Sequence, residues 1–141
     1  MKKIFVIDWT LIPLLVLSAA SGIGLHIAGH GTEHEVWHNW AVAHVIASVF
    51  LLAATIMHIA KHWDWYKGLI KHGIGNKSLA TVVLSAVFLF VVATGIALLG
   101  WIEGVNSDTG LWHYVAGIAF TIVATGHIIK RIPILRKSIR K

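Results

Sequence analysis

The chain has 141 residues, 57% of them hydrophobic and only 13% charged, with a formal net charge of +6 and a mean hydropathy of +0.76. A water-soluble domain of this length carries far more charge, so the composition excludes an ordinary soluble fold. Cysteine is absent, which excludes disulfides, thiolate-held iron–sulfur clusters and the thioether attachment of c-type haem.

Four apolar runs follow one another: Trp9–Ala28, Trp40–Ile59, Leu79–Trp101 and Leu111–Ile129. Each is close to the ~20 residues a helix needs to cross the hydrocarbon core. The first is not read as a cleavable signal peptide, because no small-residue cleavage site with a soluble domain follows it and three further spans do. The expected architecture is an all-α membrane protein, a single four-transmembrane-helix bundle over residues 1–141.

The first run contains Ser21-Gly22-Ile23-Gly24-Leu25, and the third contains Thr94-Gly95-Ile96-Ala97-Leu98. Trp37-His38 precedes the second run and Trp112-His113 opens the fourth. The bundle therefore reads as two repeated helical hairpins in the same orientation, with the second and fourth helices crossing the membrane in one direction.

The connection after the first run is rich in histidine. His26, His30, His34 and His38 recur at every fourth position, with Glu33 and Glu35 among them. On one helix they would share a face, but Gly29 and Gly31 argue against continuity. Three readings stand: a proton-exchanging quinone site around His26, His30 and His38, a divalent metal site, or polar residues at the headgroups. His26 differs from the others in lying within the first span.

The second and fourth runs carry the chemistry. His44 and His58 stand 14 apart in the chain, and His113 and His127 repeat that interval. On an α-helix the interval is nearly four turns, so the two rings share a face roughly 21 Å apart along the axis. In parallel helices His44 meets His113 at one depth and His58 meets His127 at another. That arrangement suits two stacked bis-histidine haems, since neutral imidazole is an iron ligand. A lone intramembrane histidine could serve an interhelical hydrogen bond. Four, matched in spacing and depth, point to function, because ionisable groups in a span are costly. Gly22 and Gly95 fall at the depth of the first pair, where glycine permits close approach of a flat macrocycle. Ordinary small-residue helix packing explains Gly22, Gly24 and Gly95 equally well.

The second connection holds His62, Asp64 and His72, read first as interfacial polar residues and second as a quinone pocket. It also carries Lys61, Lys67, Lys71 and Lys77. With Lys2 and Lys3 before the first span, and Lys130, Arg131, Arg136, Lys137, Arg140 and Lys141 after the last, all 12 basic residues fall on one side of a four-span topology. The connections Gly29–Asn39 and Ile102–Gly110 contain neither Lys nor Arg. The positive-inside rule then gives cytoplasmic termini in the inner (cytoplasmic) membrane. Trp9, Trp37, Trp40, Trp63, Trp65, Trp101 and Trp112 lie near helix ends, as an interfacial aromatic belt does. No aromatic–basic platform accompanies the positive charge, so nucleic acid is not an expected partner.

Two histidines per helix, 14 apart, on two helices of a membrane bundle resemble the ligand pattern of di-haem b-type cytochromes, as in the cytochrome b of quinol–cytochrome c oxidoreductases. The compact four-span form is also similar to small bacterial cytochrome b families that anchor redox complexes. The resemblance covers essentially the whole chain. It implies that His44, His113, His58 and His127 are axial ligands of two non-covalent haems b. It implies transfer of electrons between a quinone pool and a redox partner protein or subunit, with the chain an electron-transfer subunit of an oxidoreductase rather than a free-standing enzyme. Homo-oligomerisation stays open. One departure is the outer face, where no Arg or Lys stands ready for haem propionates. The competing class is a metal-handling or transport protein, supported by the histidine-rich outer loop and the internal repeat.

Overall fold

The computed structural model describes residues 3–31, 33–75, 78–100 and 107–139. Lys2, Lys77, Arg140, Lys141 and Trp101, which entered the charge and aromatic patterns, lie outside those residues, as does much of the third connection. The protein is all-helical, with no strand among the described residues. Its elements are α1 (Lys3–Ala28), α2 (His34–Lys61), α3 (Trp63–His72), α4 (Leu79–Gly100) and α5 (Asp108–Ile139). Four of them, α1, α2, α4 and α5, are long and apolar enough to cross a membrane. Their 22 to 32 residues correspond to roughly 33–48 Å of helix, enough for a ~30 Å hydrocarbon core with turns to spare.

The break between α1 and α2 lies where the glycines predict it. Helix α1 stops at Ala28, and Gly31 takes a φ of 142°, a value side chains with a Cβ rarely adopt. The four outer histidines are thereby divided, His26 on α1 and His34 and His38 on α2.

Helix α3 is a correction to the sequence reading, which treated this stretch as part of a connection. It is ten residues long and buries none of them. Trp63, Trp65, Tyr66, Leu69 and Ile70 occupy one arc, while Asp64, Lys67, Gly68, Lys71 and His72 occupy the other. No long apolar run marks such a helix, because its apolar residues line one stripe only. Tyr66 fastens it to α4. The Ser85 hydroxyl donates to the Thr81 carbonyl and so accepts from the Tyr66 hydroxyl at 2.9 Å.

Helix α1 packs along α2 and α5 along α4, which makes the two hairpins, and α1 also lies against α5. The helices that bear the paired histidines, α2 and α5, have no extended backbone contact with each other. At mid-depth Leu15, Leu51 and Ala124 form a small buried core, with Leu11, Leu14, Leu84, Phe120 and Ile128 against it. Phe88 and Phe120 add a ring contact at 5.4 Å. Among the described residues no large side chain is fully enclosed. Most of the apolar surface faces outward, as expected when lipid, rather than a protein core, solvates it.

The core sits halfway between two polar levels, and the spacing is heptad-like in all four spans. Asp8, Leu15 and Gly22 step along α1, and His44, Leu51 and His58 along α2. Thr81, Phe88 and Gly95 step along α4, and His113, Phe120 and His127 along α5. Two turns per step keeps each set on one face.

Candidate functional site

At the level nearer the α1–α2 connection, called outer, the imidazoles of His44 and His113 meet edge-on, ring centroids 6.1 Å apart and planes inclined by 75°. The odd-numbered helix of the first hairpin orients its partner's ring. The Nδ1 of His44 lies 3.1 Å from the Ser18 carbonyl and 3.2 Å from the Ser21 hydroxyl. A carbonyl only accepts, and the Ser21 hydroxyl donates to the Leu17 carbonyl at 2.7 Å. Nδ1 must therefore carry the proton, which leaves Nε2 of the neutral ring with its lone pair free. His113 repeats the arrangement against α4. Its Nδ1 meets the Thr94 hydroxyl at 2.9 Å, the ring also bonds the Val91 backbone, and Thr94 donates to the Phe90 carbonyl. Two imidazoles locked in the same tautomer each leave Nε2 available, the arrangement that second partners give to metal-binding histidines.

Gly22 and Gly95 are part of the same device. A Cβ at Gly22 would stand 2.9 Å from His44 Cε1, and one at Gly95 would stand 3.1 Å from His113 Cε1. The sequence suggests glycine for a macrocycle's approach; the structure shows glycine making room for the edge of each ligand ring. Gly24 does the same for the ring of Trp40.

The inner level is built differently. His58 Nδ1 donates to the Asp8 carboxylate at 2.7 Å, with both side chains largely withdrawn from solvent. His62, the C-cap of α2, lays its ring 4.6 Å from that of His58. Asp8, His58 and His62 bring one ligand atom each to within 4.8 Å of one another. Burial and the neighbouring His58 hold the His62 imidazole below its ordinary value, against the pull of Asp8. His127 lies within electrostatic reach of Arg131, His58, Asp8 and His62 but shares no ring contact with His58. The structure thus brings the outer pair into edge-on ring contact and gathers the inner pair into one neighbourhood without a ring contact. Asp64 pairs with Lys67 on exposed α3, and His72 lies exposed at its end, away from this cluster.

At the outer end, His26 stacks on Tyr114 with centroids 3.8 Å apart, and His30 meets His26 edge-on at 4.7 Å. His38 is exposed and stacks on His34, so it does not join that group. Among the described residues no metal-competent cluster forms at this end.

Sequence reasoning missed the orienting groups Ser18, Ser21, Thr94 and Asp8, and also Tyr114. The signal for three of them was present. Ser21 and Thr94 precede the repeated glycines, and Asp8 is a carboxylate at the edge of an apolar run. Trp9 also departs from a simple belt role, since its indole Nε1 is buried without a hydrogen-bond partner.

No protein-family model, curated protein or solved structure matches the chain. The reading of the site rests on its own geometry.

Proposed function

We propose that the protein carries electrons across a membrane through two non-covalent b-type haems, between a quinone pool and a redox partner subunit. The observation that carries this reading is the His44–His113 pair, with both Nδ1 atoms hydrogen-bonded and both Nε2 atoms free to ligate. These donors suit haem iron. Imidazole is a haem ligand, no thiolate competes, and Gly22 and Gly95 let each ring sit against a helix backbone. At the inner level His58 and His127 would be the ligands, with Asp8 orienting His58 as carboxylates commonly orient metal-bound histidine. When bound, the haems would supply one-electron redox centres at two depths.

The chain's own residues then do three things. Ser18, Ser21, Val91 and Thr94 set the tautomer of the outer ligands. Leu15, Leu51 and Phe120 keep the space between the levels apolar. The His26–Tyr114 stack, with His30 beside it, offers a flat aromatic surface with imidazole nitrogens at its edge, a surface suited to a quinone ring. His38, grouped with them from the sequence, stands apart and drops out of that site.

The described basic residues gather at one end: Lys3 opens α1, Lys61 closes α2, Lys67 and Lys71 lie on α3, and Lys130, Arg131, Arg136 and Lys137 lie in the last turns of α5. By the positive-inside rule this end faces the cytoplasm of an inner membrane.

A second reading, metal handling, has one observation in its favour, and it lies at the inner end rather than in the outer loop: the Asp8–His58–His62 cluster. The visible spectrum of the purified protein with haem quantified per chain separates the two. Two haems b per chain support electron transfer. A colourless protein that binds zinc or nickel stoichiometrically overturns it.

A further inference from the structure

The two hairpins repeat with constant offsets. Leu15, Ser21 and Gly22 of α1 correspond, at one shared offset, to Phe88, Thr94 and Gly95 of α4. His44, Leu51 and His58 of α2 correspond, at a second shared offset, to His113, Phe120 and His127 of α5. Carried to the inner end, the same offsets place Thr81 where Asp8 stands, and Arg131 and Lys130 where His62 and Lys61 stand. The first hairpin ends in a carboxylate, two imidazoles and an ammonium. The second ends in a hydroxyl, an imidazole, a guanidinium and an ammonium. The second hairpin thus has no counterpart of the carboxylate and carries a permanent cation in place of an imidazole.

That inverted site is a cavity of about 340 Å³ between α4 and α5, whose lining includes Thr81, His127, Lys130 and Arg131. Its remaining walls, Ala80, Val123 and Gly126, are small and apolar. No acidic residue lines it. Among the described residues neither Lys130 nor Arg131 forms an ion pair, and Asp8 is engaged by His58. The amphipathic α3 marks its depth. Tyr66 bonds Ser85, which bonds the Thr81 carbonyl, while Trp63 and Ile70 stand exposed on the apolar arc. Such a helix lies at the boundary between acyl chains and headgroups.

We propose that this cavity binds the phosphate of an anionic phospholipid headgroup. Arg131 would engage phosphate oxygens through its planar fork, and Lys130 would act as a point charge. The Thr81 hydroxyl would donate a further hydrogen bond, and the acyl chains would lie along the lipid-exposed faces of α4 and α5. Basic pockets between transmembrane helices on the cytoplasmic side suit this chemistry. His127 is left to its role in the haem reading, and the proposal requires only that the chain spans a bilayer.

The test is native mass spectrometry of the full chain, released from nanodiscs of phosphatidylglycerol mixed with phosphatidylcholine. Haem absorbance is recorded in parallel, so that the two readings fail separately. Wild type should retain phosphatidylglycerol in preference to phosphatidylcholine. Lys130→Gln and Arg131→Gln should each weaken that preference roughly fivefold, and the pair more. Lys67→Gln with Lys71→Gln, an equal loss of charge on α3, should leave it unchanged. Thr81→Val gives a milder, uncharged check should the charge variants fail to fold. An equal loss in the α3 control would show diffuse surface attraction and overturn the site. Displacement of the lipid by millimolar inorganic phosphate would identify a soluble anion as the occupant and overturn the lipid assignment. Loss of haem with lipid preference intact would assign the cavity to a haem propionate instead, and would equally overturn it.

Discussion

The orientation of a histidine ring is decided by its hydrogen bonds. At His44 and His113 those bonds are made by the neighbouring helix of the same hairpin, through Ser18 and Ser21 of α1 in one case and Val91 and Thr94 of α4 in the other. Partners of this kind typically change metal affinity about 10–100-fold when removed. On the proposed haem reading, Thr94→Ala should weaken the outer haem by up to about that factor while leaving the inner haem in place, and Thr94→Ser should restore it. Haem titration into the haem-free variant checks this; unchanged affinity would refute the orienting role. Ser21→Ala should do the same at His44, since each ring keeps one backbone partner, Ser18 or Val91. The glycines give an independent check. Alanine usually improves a helix interior over glycine by about 0.5–1 kcal/mol. At Gly22 and Gly95, however, the new methyl meets a ligand ring. Gly22→Ala should lower outer-haem occupancy, and Gly95→Ala should do so less, in line with 2.9 Å against 3.1 Å. Haem content per chain for the two variants decides it.

Among the elements, α3 and its termination are the least expected. The helix ends at Gly73, whose φ of 79° and ψ of 177° belong to a region essentially reserved for glycine. Gly73→Ala should cost about 1–3 kcal/mol and lower the thermal unfolding midpoint in detergent, with the haem spectrum at ambient temperature unchanged. A midpoint at or above wild type would show that the turn relaxes without strain. The span helices behave in the opposite way. With apolar residues on every side, they are specified by length and by the bilayer rather than by a buried stripe.

The whole molecule is two hairpins joined along α1 and α5, with polar levels above and below a small apolar core. On the proposed reading, His44→Ala and His113→Ala each leave one haem per chain, at the inner level, and His58→Ala and His127→Ala each leave the outer one. Pyridine haemochrome quantification is the measurement, and two haems retained in any of the four variants would sink the ligand set. On the proposed topology, a C-terminal reporter should be active only on the cytoplasmic side, following the basic residues on α3 and in the last turns of α5.

The four spans and the histidine faces were legible without coordinates. Hydropathy and the repeated histidine interval depend only on helix geometry and the cost of placing polar groups in lipid. The break at Gly29–Gly31 was legible for the same local reason. Helix α3 is also local, but its alternation is readable only as an arc of a short helix. What required tertiary structure was everything that depends on which helices touch. Packing of α1 against α2 placed Ser21 on His44 and Asp8 on His58, although the members of each pair lie on different helices and far apart in the chain. The outer rings touch edge-on while the inner ones do not, and His58 instead contacts Asp8 and His62. Periodicity sets the face on which a side chain lies, and only the packing of neighbouring helices sets what that face meets.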